Sequence, residues 1–274
     1  MKRWLPLALL AGAFLAFPGH VRAKESPDLD NIKVTYHGDR LMAQVHVVTL
    51  FWGPGWDQTP LRDYLNGFFR ALFADKRYQA NLTQYSKGDY RIGNGVFAGT
   101  ATDTNPAPSV LPDDQIRAEI RAQVAAGHLR RPDADTLYVV FTPPGVTVMD
   151  NQGKDSLHDF VGYHGYAWIG DFAYAVIPYA EDAPEWMTVP ASHELAEAVT
   201  NPQPYLQRLG RGGWYDDTNG EIGDIPLSLH DAFRIRDGDL WDFLRAADGT
   251  QYKVQKVWSN RDRAPVAFAA PPAS

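Results

Sequence analysis

The stretch that decides the fold is Ala43–Trp52, with the sequence AQVHVVTLFW. It is rich in β-branched and aromatic residues, which predicts a strand. The strand ends at Gly53–Gly55, where the sequence is Gly-Pro-Gly. Thr59 and Pro60 then have the residue types of a helix N-cap and of a first helical position. A strand followed directly by a helix is typical of a sheet with helices packed on it.

Outward from this stretch, the sequence continues as a mixture of strands and helices. Apolar residues at helical spacing between Leu61 and Leu72 give the first helix one apolar face, a second helix is predicted to begin at Pro112–Asp114, and a third follows Pro190. Strands are predicted at residues 32–36, 82–85, 90–98, 136–142, 166–169, 174–179, 233–236 and 252–258. No repeat or linker is visible, so residues 24–274 are predicted to form a single mixed α/β domain with a frayed tail from about residue 264.

The first 23 residues have the pattern of a secretory signal peptide. Lys2 and Arg3 precede an apolar run at Leu5–Phe17, and small residues follow at Val21–Ala23. The apolar run is too short to span a bilayer comfortably. These features predict a protein that is secreted or periplasmic and has no membrane anchor.

Composition narrows the classes of partner and of site. The 274-residue chain has a net charge of -7 and no basic block, so we expect neither nucleic acid nor an anionic membrane surface as a partner. The chain has no cysteine. A metal site would therefore consist of histidines and carboxylates, and a thiol nucleophile is excluded.

The most specific motif is SHELAEAVT at Ser192–Thr200. On a helix, His193 and Glu197 lie four residues apart and share one face, and Glu194 lies beside His193. This arrangement resembles the metal-binding helix of a zinc peptidase, which presents two ligands and a general base at these positions. We predict His193 and Glu197 as metal ligands and Glu194 as the catalytic base.

Glu197 stands where the usual zinc-peptidase motif has a second histidine. A carboxylate still binds zinc, but its charge weakens the acidification of a metal-bound water and admits harder cations such as manganese or calcium. The predicted cofactor is therefore Zn²⁺ or another divalent cation. The alternative is an ordinary amphipathic helix that is capped by Ser192 and whose exposed acids favour its N-terminus.

An acidic segment, WYDDTNGEIGD, follows this helix at Trp214–Asp224. In one large group of zinc peptidases a downstream Glu is the third ligand, and an Asp shortly after it supports a ligating imidazole. By that resemblance, Glu221 is the predicted third ligand and Asp224 the supporting carboxylate. Asp216 is a further candidate for the cleft. The alternatives for this segment are a solvated turn, or calcium chelation at a spacing unlike that of an EF-hand.

His164 belongs to the segment Gly162-Tyr163-His164-Gly165. Because two residues of this segment are glycines, its backbone could approach a ligand closely. We predict that it lines the cleft or polarises a carbonyl group, and the alternative is an exposed loop histidine. The sequence contains no Gly-x-Ser-x-Gly elbow and no phosphate-binding glycine loop, which argues against serine hydrolases and nucleotide-dependent enzymes.

Several short motifs resemble the EXORDIUM, or phosphate-induced, family of secreted proteins. They are Val34–Gly38, Val45–Trp56, Tyr166–Gly170 and Ala191–Pro202. The resemblance extends over much of residues 34–202, and it implies an extracellular protein linked, in plants, to cell-wall-associated growth control. The chain differs from the plant proteins in lacking their common cysteines.

Two functions of different classes follow from these patterns. The first is a secreted metal-dependent hydrolase with a zincin-like domain, acting on a peptide or protein substrate that an edge strand near Tyr174–Tyr179 aligns. The second is a non-catalytic secreted protein that binds cell-wall carbohydrate or a partner through its aromatic residues. Metal analysis of the purified protein discriminates between them.

Overall fold

Most of the stretch Ala43–Trp52 forms a strand of the central sheet. The computed structural model describes residues 31–270, and the predicted signal peptide at residues 1–23 lies outside this range. No helix within residues 31–270 combines the length and the apolar character that crossing a bilayer requires.

Strands and helices are interspersed along the described chain. The strands are β1 (Thr35–Tyr36), β2 (His46–Trp52), β3 (Val96–Asp103), β4 (Val110–Pro112), β5 (Thr136–Phe141), β6 (Thr147–Met149), β7 (Tyr163–Ala167), β8 (Phe172–Ile177), β9 (Trp214–Tyr215), β10 (Trp241–Arg245), β11 (Gln251–Gln255), β12 (Val257–Ser259) and β13 (Ala264–Val266). The α-helices are α1 (Pro60–Asp75), α2 (Arg77–Leu82), α3 (Asp113–Ala125), α4 (Thr188–Thr200) and α5 (Asp224–Asp231).

The central sheet has the strand order β3-β2-β5-β8-β7. The first four of these strands run parallel, and β7 is antiparallel to β8. Every residue of β5 and β8 is buried, as expected for parallel strands with both faces covered. The predicted mixed α/β class is confirmed.

An apolar core covers each face of this sheet. On one face, Phe69 of α1 and Leu195 of α4 belong to the same core cluster as Phe141 of β5. On the other face, α3 contributes Ile116 and Ile120 to a second cluster. Helix α1 begins as predicted, because the Thr59 hydroxyl accepts a hydrogen bond from the Leu61 amide.

Two predicted strands do not form, and the strand predicted at residues 90–98 begins only at Val96, as β3. Helix α2 ends at Leu82, and Thr83–Tyr85 forms a 3-10 turn. Leu82 and Tyr85 are both buried, and a separation of three residues puts them on one side of a helical turn. Residues 233–236 form a turn after α5, where Phe233 is 95% exposed and has a φ of 58°.

The predicted edge strand near Tyr174–Tyr179 is also corrected. Strand β8 lies between β5 and β7 and is hydrogen-bonded on both sides, so it cannot align a substrate by backbone pairing. The edge strands of the sheet are β3 and β7, and the 3-10 turn Pro204–Leu209 contacts β7.

The C-terminal segment is predicted from the sequence to be frayed from about residue 264, but residues 264–270 pack against the domain. Strand β13 pairs antiparallel with β12. The Ala269 amide then donates to the Arg77 carbonyl, and Ala267 is buried in the core. Backbone pairing and apolar burial hold this segment against the domain.

Candidate metal centre

Helix α4 is buried between two parts of the fold. It contacts β7 and β8 of the central sheet and β11 of the β10–β11 hairpin. Its three chemically reactive residues are buried with it, since His193 is 7% exposed, Glu194 5% and Glu197 3%. The alternative of a surface helix with exposed acids is therefore wrong. Ser192 is not its N-cap, because the helix already begins at Thr188.

One turn of α4 brings an imidazole and two carboxylates together. His193 Nε2 lies 3.3 Å from Glu197 Oε2 and 3.8 Å from Glu194 Oε1. The contact with Glu197 is the one that spacing of four residues on a helix produces.

The start of α5 fixes the orientation of Glu197. The amides of Gly223 and Asp224 donate to Glu197 Oε1 at 3.0 and 3.2 Å, at the helix end that favours negative charge. A Cβ atom on Gly223 would lie 2.8 Å from this oxygen and 2.8 Å from two ring atoms of His193. The close approach of α5 to α4 therefore requires a residue without a side chain at position 223.

Strand β7 contributes His164, which is 6% exposed. His164 Nδ1 lies 3.1 Å from Glu194 Oε2 and 3.6 Å from Glu197 Oε2. Its Nε2 donates to the Asn201 carbonyl at 3.1 Å. A Cβ atom at the neighbouring Gly162 would lie 3.1 Å from Glu194 Oε1, so the flanking glycines did indicate a close approach of this backbone.

The acidic segment contributes Glu221 and Asp224. Glu221 accepts a hydrogen bond from Asn201 Nδ2 at 2.7 Å, and its Oε1 lies 3.6 Å from His164 Nε2. Asp224 Oδ1 lies 3.7 Å from His193 Nε2, and about half of the Asp224 side chain is exposed. Sequence reasoning placed both acids near His193, but the structure places Glu221 beside the other imidazole.

Among residues 31–270, two groups of three side chains have ligand atoms close enough to hold one ion. They are His164, Glu197 and Glu221, and His193, Glu197 and Asp224, with the ligand atoms of each group within 4.8 Å of one another. The set predicted from the sequence, His193 with Glu197 and Glu221, is thus divided between the two groups. Glu197 belongs to both.

Asp216 has a different role in the same segment. Its Oδ2 accepts the Lys33 amide at 2.6 Å, and its Oδ1 accepts the amides of Thr218 and Asn219. These bonds shape the turn and tie it to the N-terminal segment, and Asp216 belongs to neither ligand group.

The cluster has more carboxylates than imidazoles. Within residues 31–270, the ion pairs of these carboxylates are with His164 and His193. Burial opposes charge on His164, but Glu221 and the other carboxylates raise its pKa to about 10. The pKa of His193 is likewise raised, against the effect of burial, by Glu197. Burial and Glu197 raise the pKa of Glu221 and bring that of Asp224 to about 6. Protons or a cation must compensate this excess of negative charge.

Two cavities reach the cluster. One, of about 560 Å³, is bordered by His193, Glu194 and Asp224 and continues between apolar side chains such as Leu157 and Trp241. The other, of about 340 Å³, is mostly polar and borders both ligand groups. The larger volume lies in the range of small-molecule and substrate sites.

The chain matches no protein-family model, and comparison with curated proteins gives no significant match. The resemblances to the EXORDIUM family and to zinc peptidases stay predictions from the sequence motifs, and function has to be argued from the residues of this site.

Proposed function

We propose that the protein is a metal-dependent hydrolase that cleaves peptide bonds, with its ion held by His193, Glu197 and Asp224. The observation that carries this proposal is a buried imidazole with two carboxylates within 4.8 Å, at the border of a cavity large enough for a substrate. Glu194 lies at the same border and outside both ligand groups, where a general base is needed.

The residues of the site divide the chemistry between them. A divalent cation bound there would lower the pKa of a coordinated water and polarise the scissile carbonyl. Glu194 is placed to take the proton of that water, since its Oε1 lies near His193 Nε2. Glu194 Oε2 also lies 3.1 Å from His164 Nδ1, and this contact with strand β7 limits the orientations of the carboxylate. The carboxylate-rich ligand set accommodates zinc and also harder cations such as manganese.

A peptide or protein substrate is favoured by the shape and lining of the larger cavity. It is lined next to the cluster by apolar side chains including Phe160, Val161 and Leu227. Such a surface would hold an apolar side chain of the substrate while the scissile bond lies at the cluster. The exported location predicted from residues 1–23 is consistent with an extracellular or periplasmic substrate.

The first prediction separates the general base from the ligands. Glu194→Gln is expected to retain the metal and to lower hydrolysis of a fluorogenic peptide library by about 10²–10⁴-fold, because the base is lost and the ligands are kept. His193→Ala is expected to lose the metal of this ligand group together with the activity. Glu185→Gln, which changes an exposed glutamate of the same chain, is the matched control. Full activity in Glu194→Gln would refute the proposed mechanism.

A second candidate function is carbohydrate binding without catalysis. Trp186 and Phe243 are 44% and 51% exposed, and both lie with Trp241 around the Lys253 ammonium group. Such an exposed aromatic cluster suits stacking of sugar rings. Metal content decides between the two functions: a fully folded protein that binds no metal, and that binds soluble wall oligosaccharides, would favour the second.

A further inference from the structure

Glu197 lies where the two ligand groups overlap. Its Oε1 is held by the amides at the start of α5. Its Oε2 lies 3.3 Å from His193 Nε2 and 3.6 Å from His164 Nδ1. One oxygen atom of a fixed carboxylate therefore faces both imidazoles. A bridging ligand has this position in two-metal sites, where the ions are about 3.5–4 Å apart.

Asn201, at the end of α4, supports the ligand group that contains His164. Its carbonyl accepts from His164 Nε2, and because a carbonyl can only accept, the proton must lie on Nε2 while Nδ1 faces Glu194 and Glu197. The Asn201 side chain donates to Glu221 Oε1 at 2.7 Å. A carbonyl behind an imidazole and an amide behind a carboxylate are the partners that orient metal ligands in proteins.

Two divalent cations would neutralise the carboxylates of the cluster. The cluster contains four carboxylates, those of Glu194, Glu197, Glu221 and Asp224, whose ion pairs within residues 31–270 are with the two histidines. With all four carboxylates ionised and both imidazoles neutral, one divalent cation would leave two negative charges on the cluster, and two cations would leave none. Uncompensated charge is costly in a buried site.

We infer that a second divalent cation binds between His164, Glu197 and Glu221, and that Glu197 bridges it to the ion held by His193 and Asp224. The inference rests on the proposed function for the first ion. It adds a dinuclear centre in which the second ion lies beside β7, toward the smaller cavity that His164 and Glu221 border.

The experiment is a metal titration of the chain without residues 1–23, freed of metal with a chelator. Mn²⁺ is added to saturation, bound ions are counted by native mass spectrometry, and the electron paramagnetic resonance spectrum is recorded. The wild type is expected to bind two ions with an exchange-coupled spectrum. Glu221→Gln and His164→Ala are each expected to bind one ion with an isolated six-line spectrum. Glu221→Gln keeps an acceptor for Asn201, and His128→Ala, which changes an exposed histidine, is the matched control.

The outcomes separate this inference from the proposed function. A wild type that saturates with one ion, and that hydrolyses peptides in that state, would overturn the second site and leave the hydrolase proposal standing. Two ions that both persist in Glu221→Gln and in His164→Ala would place the second ion elsewhere and also overturn the inference. A wild type that binds no ion would refute both proposals. If a variant fails to fold, the wild type still tests the inference, because a count of two with no exchange coupling would place the ions too far apart to share Glu197 and would overturn it.

Discussion

Gly223 lies where the start of α5 meets α4. The position that a Cβ atom would take there is already occupied by the side chains of Glu197 and His193. Its amide donates to Glu197 Oε1, and its carbonyl accepts from the Gln255 side chain at 2.7 Å. These bonds connect the acidic segment to Glu197 and to strand β11. A single residue thus sets the distance between the two pieces of chain that supply the first ligand group.

The change Gly223→Ala tests this role. A methyl group would lie 2.8 Å from Glu197 Oε1 and from the His193 ring, so α5 must shift away from α4. We expect metal affinity to fall by about 10–100-fold, as when partners that orient ligands are lost, while the far-ultraviolet circular dichroism stays unchanged. The measurement is competition with a chromogenic chelator. Gly238→Ala is the control, since a Cβ atom there would meet nothing within 4 Å, and equal affinities in the two variants would contradict the prediction.

At the scale of elements, the first residue of α3 joins that helix to two strands of the sheet. The Asp113 carboxylate is 2% exposed and accepts from the hydroxyls of Tyr163 on β7 and Tyr174 on β8, at 2.8 and 2.6 Å. It also pairs with Arg117 Nε at 2.8 Å. Tyr163 and His164 are neighbours on β7 and point to opposite faces of the sheet. The hydrogen bonds of Tyr163 on one face therefore help to hold in place the strand that positions His164 on the other.

Asp113→Asn measures what this network contributes to stability. The variant keeps the size of the side chain and removes the charge that strengthens its hydrogen bonds, so we expect a loss of about 1.5–3 kcal/mol in the free energy of unfolding by urea. Asp114→Asn removes an exposed acid from the same first helical turn and controls for the interaction with the helix dipole, which contributes about 0.3–1 kcal/mol. Similar losses in both variants would show that the buried network adds nothing.

At the scale of the whole molecule, the fold buries several carboxylates close together between the central sheet and the β10–β11 hairpin. Helix α4 is covered by the sheet on one side and by the β10–β11 hairpin on another, and its two glutamates are buried in between. Burial and the repulsion from Glu197 raise the pKa values of Glu221 and Asp224, so a cation beside them would stabilise their ionised forms. Binding of a cation at this cluster would therefore stabilise the fold.

Metal removal is accordingly predicted to lower thermal stability. A cation at one hundred times its dissociation constant stabilises the folded state by about 2.7 kcal/mol, which corresponds to a rise of about 5–11 °C in Tm for a chain of this size. The measurement is calorimetry with Mn²⁺ and with chelator. Glu197→Gln should lose most of this difference because both ligand groups contain Glu197, whereas Glu185→Gln should keep it. A wild-type Tm that does not change with metal would contradict the coupling.

The sequence by itself determined the features that depend on local geometry. Spacing of four residues on a helix brings His193 to Glu197, and the Thr59-Pro60 pair starts α1, because both depend only on helical geometry and capping. The buried strand β5 could be predicted from its continuous β-branched and aromatic run. The mixed α/β class follows from the order of these elements.

Only the tertiary structure decided which distant residues share the site. His164 enters the cluster because β7 pairs antiparallel beside β8, and the acids divide between the two imidazoles because α5 docks against α4 through Gly223. The order of strands in the sheet and the docking of a short helix depend on contacts between residues far apart in the chain. No periodicity along the chain records those contacts, so the pairing of Glu221 with His164, and of Asp224 with His193, was settled by packing.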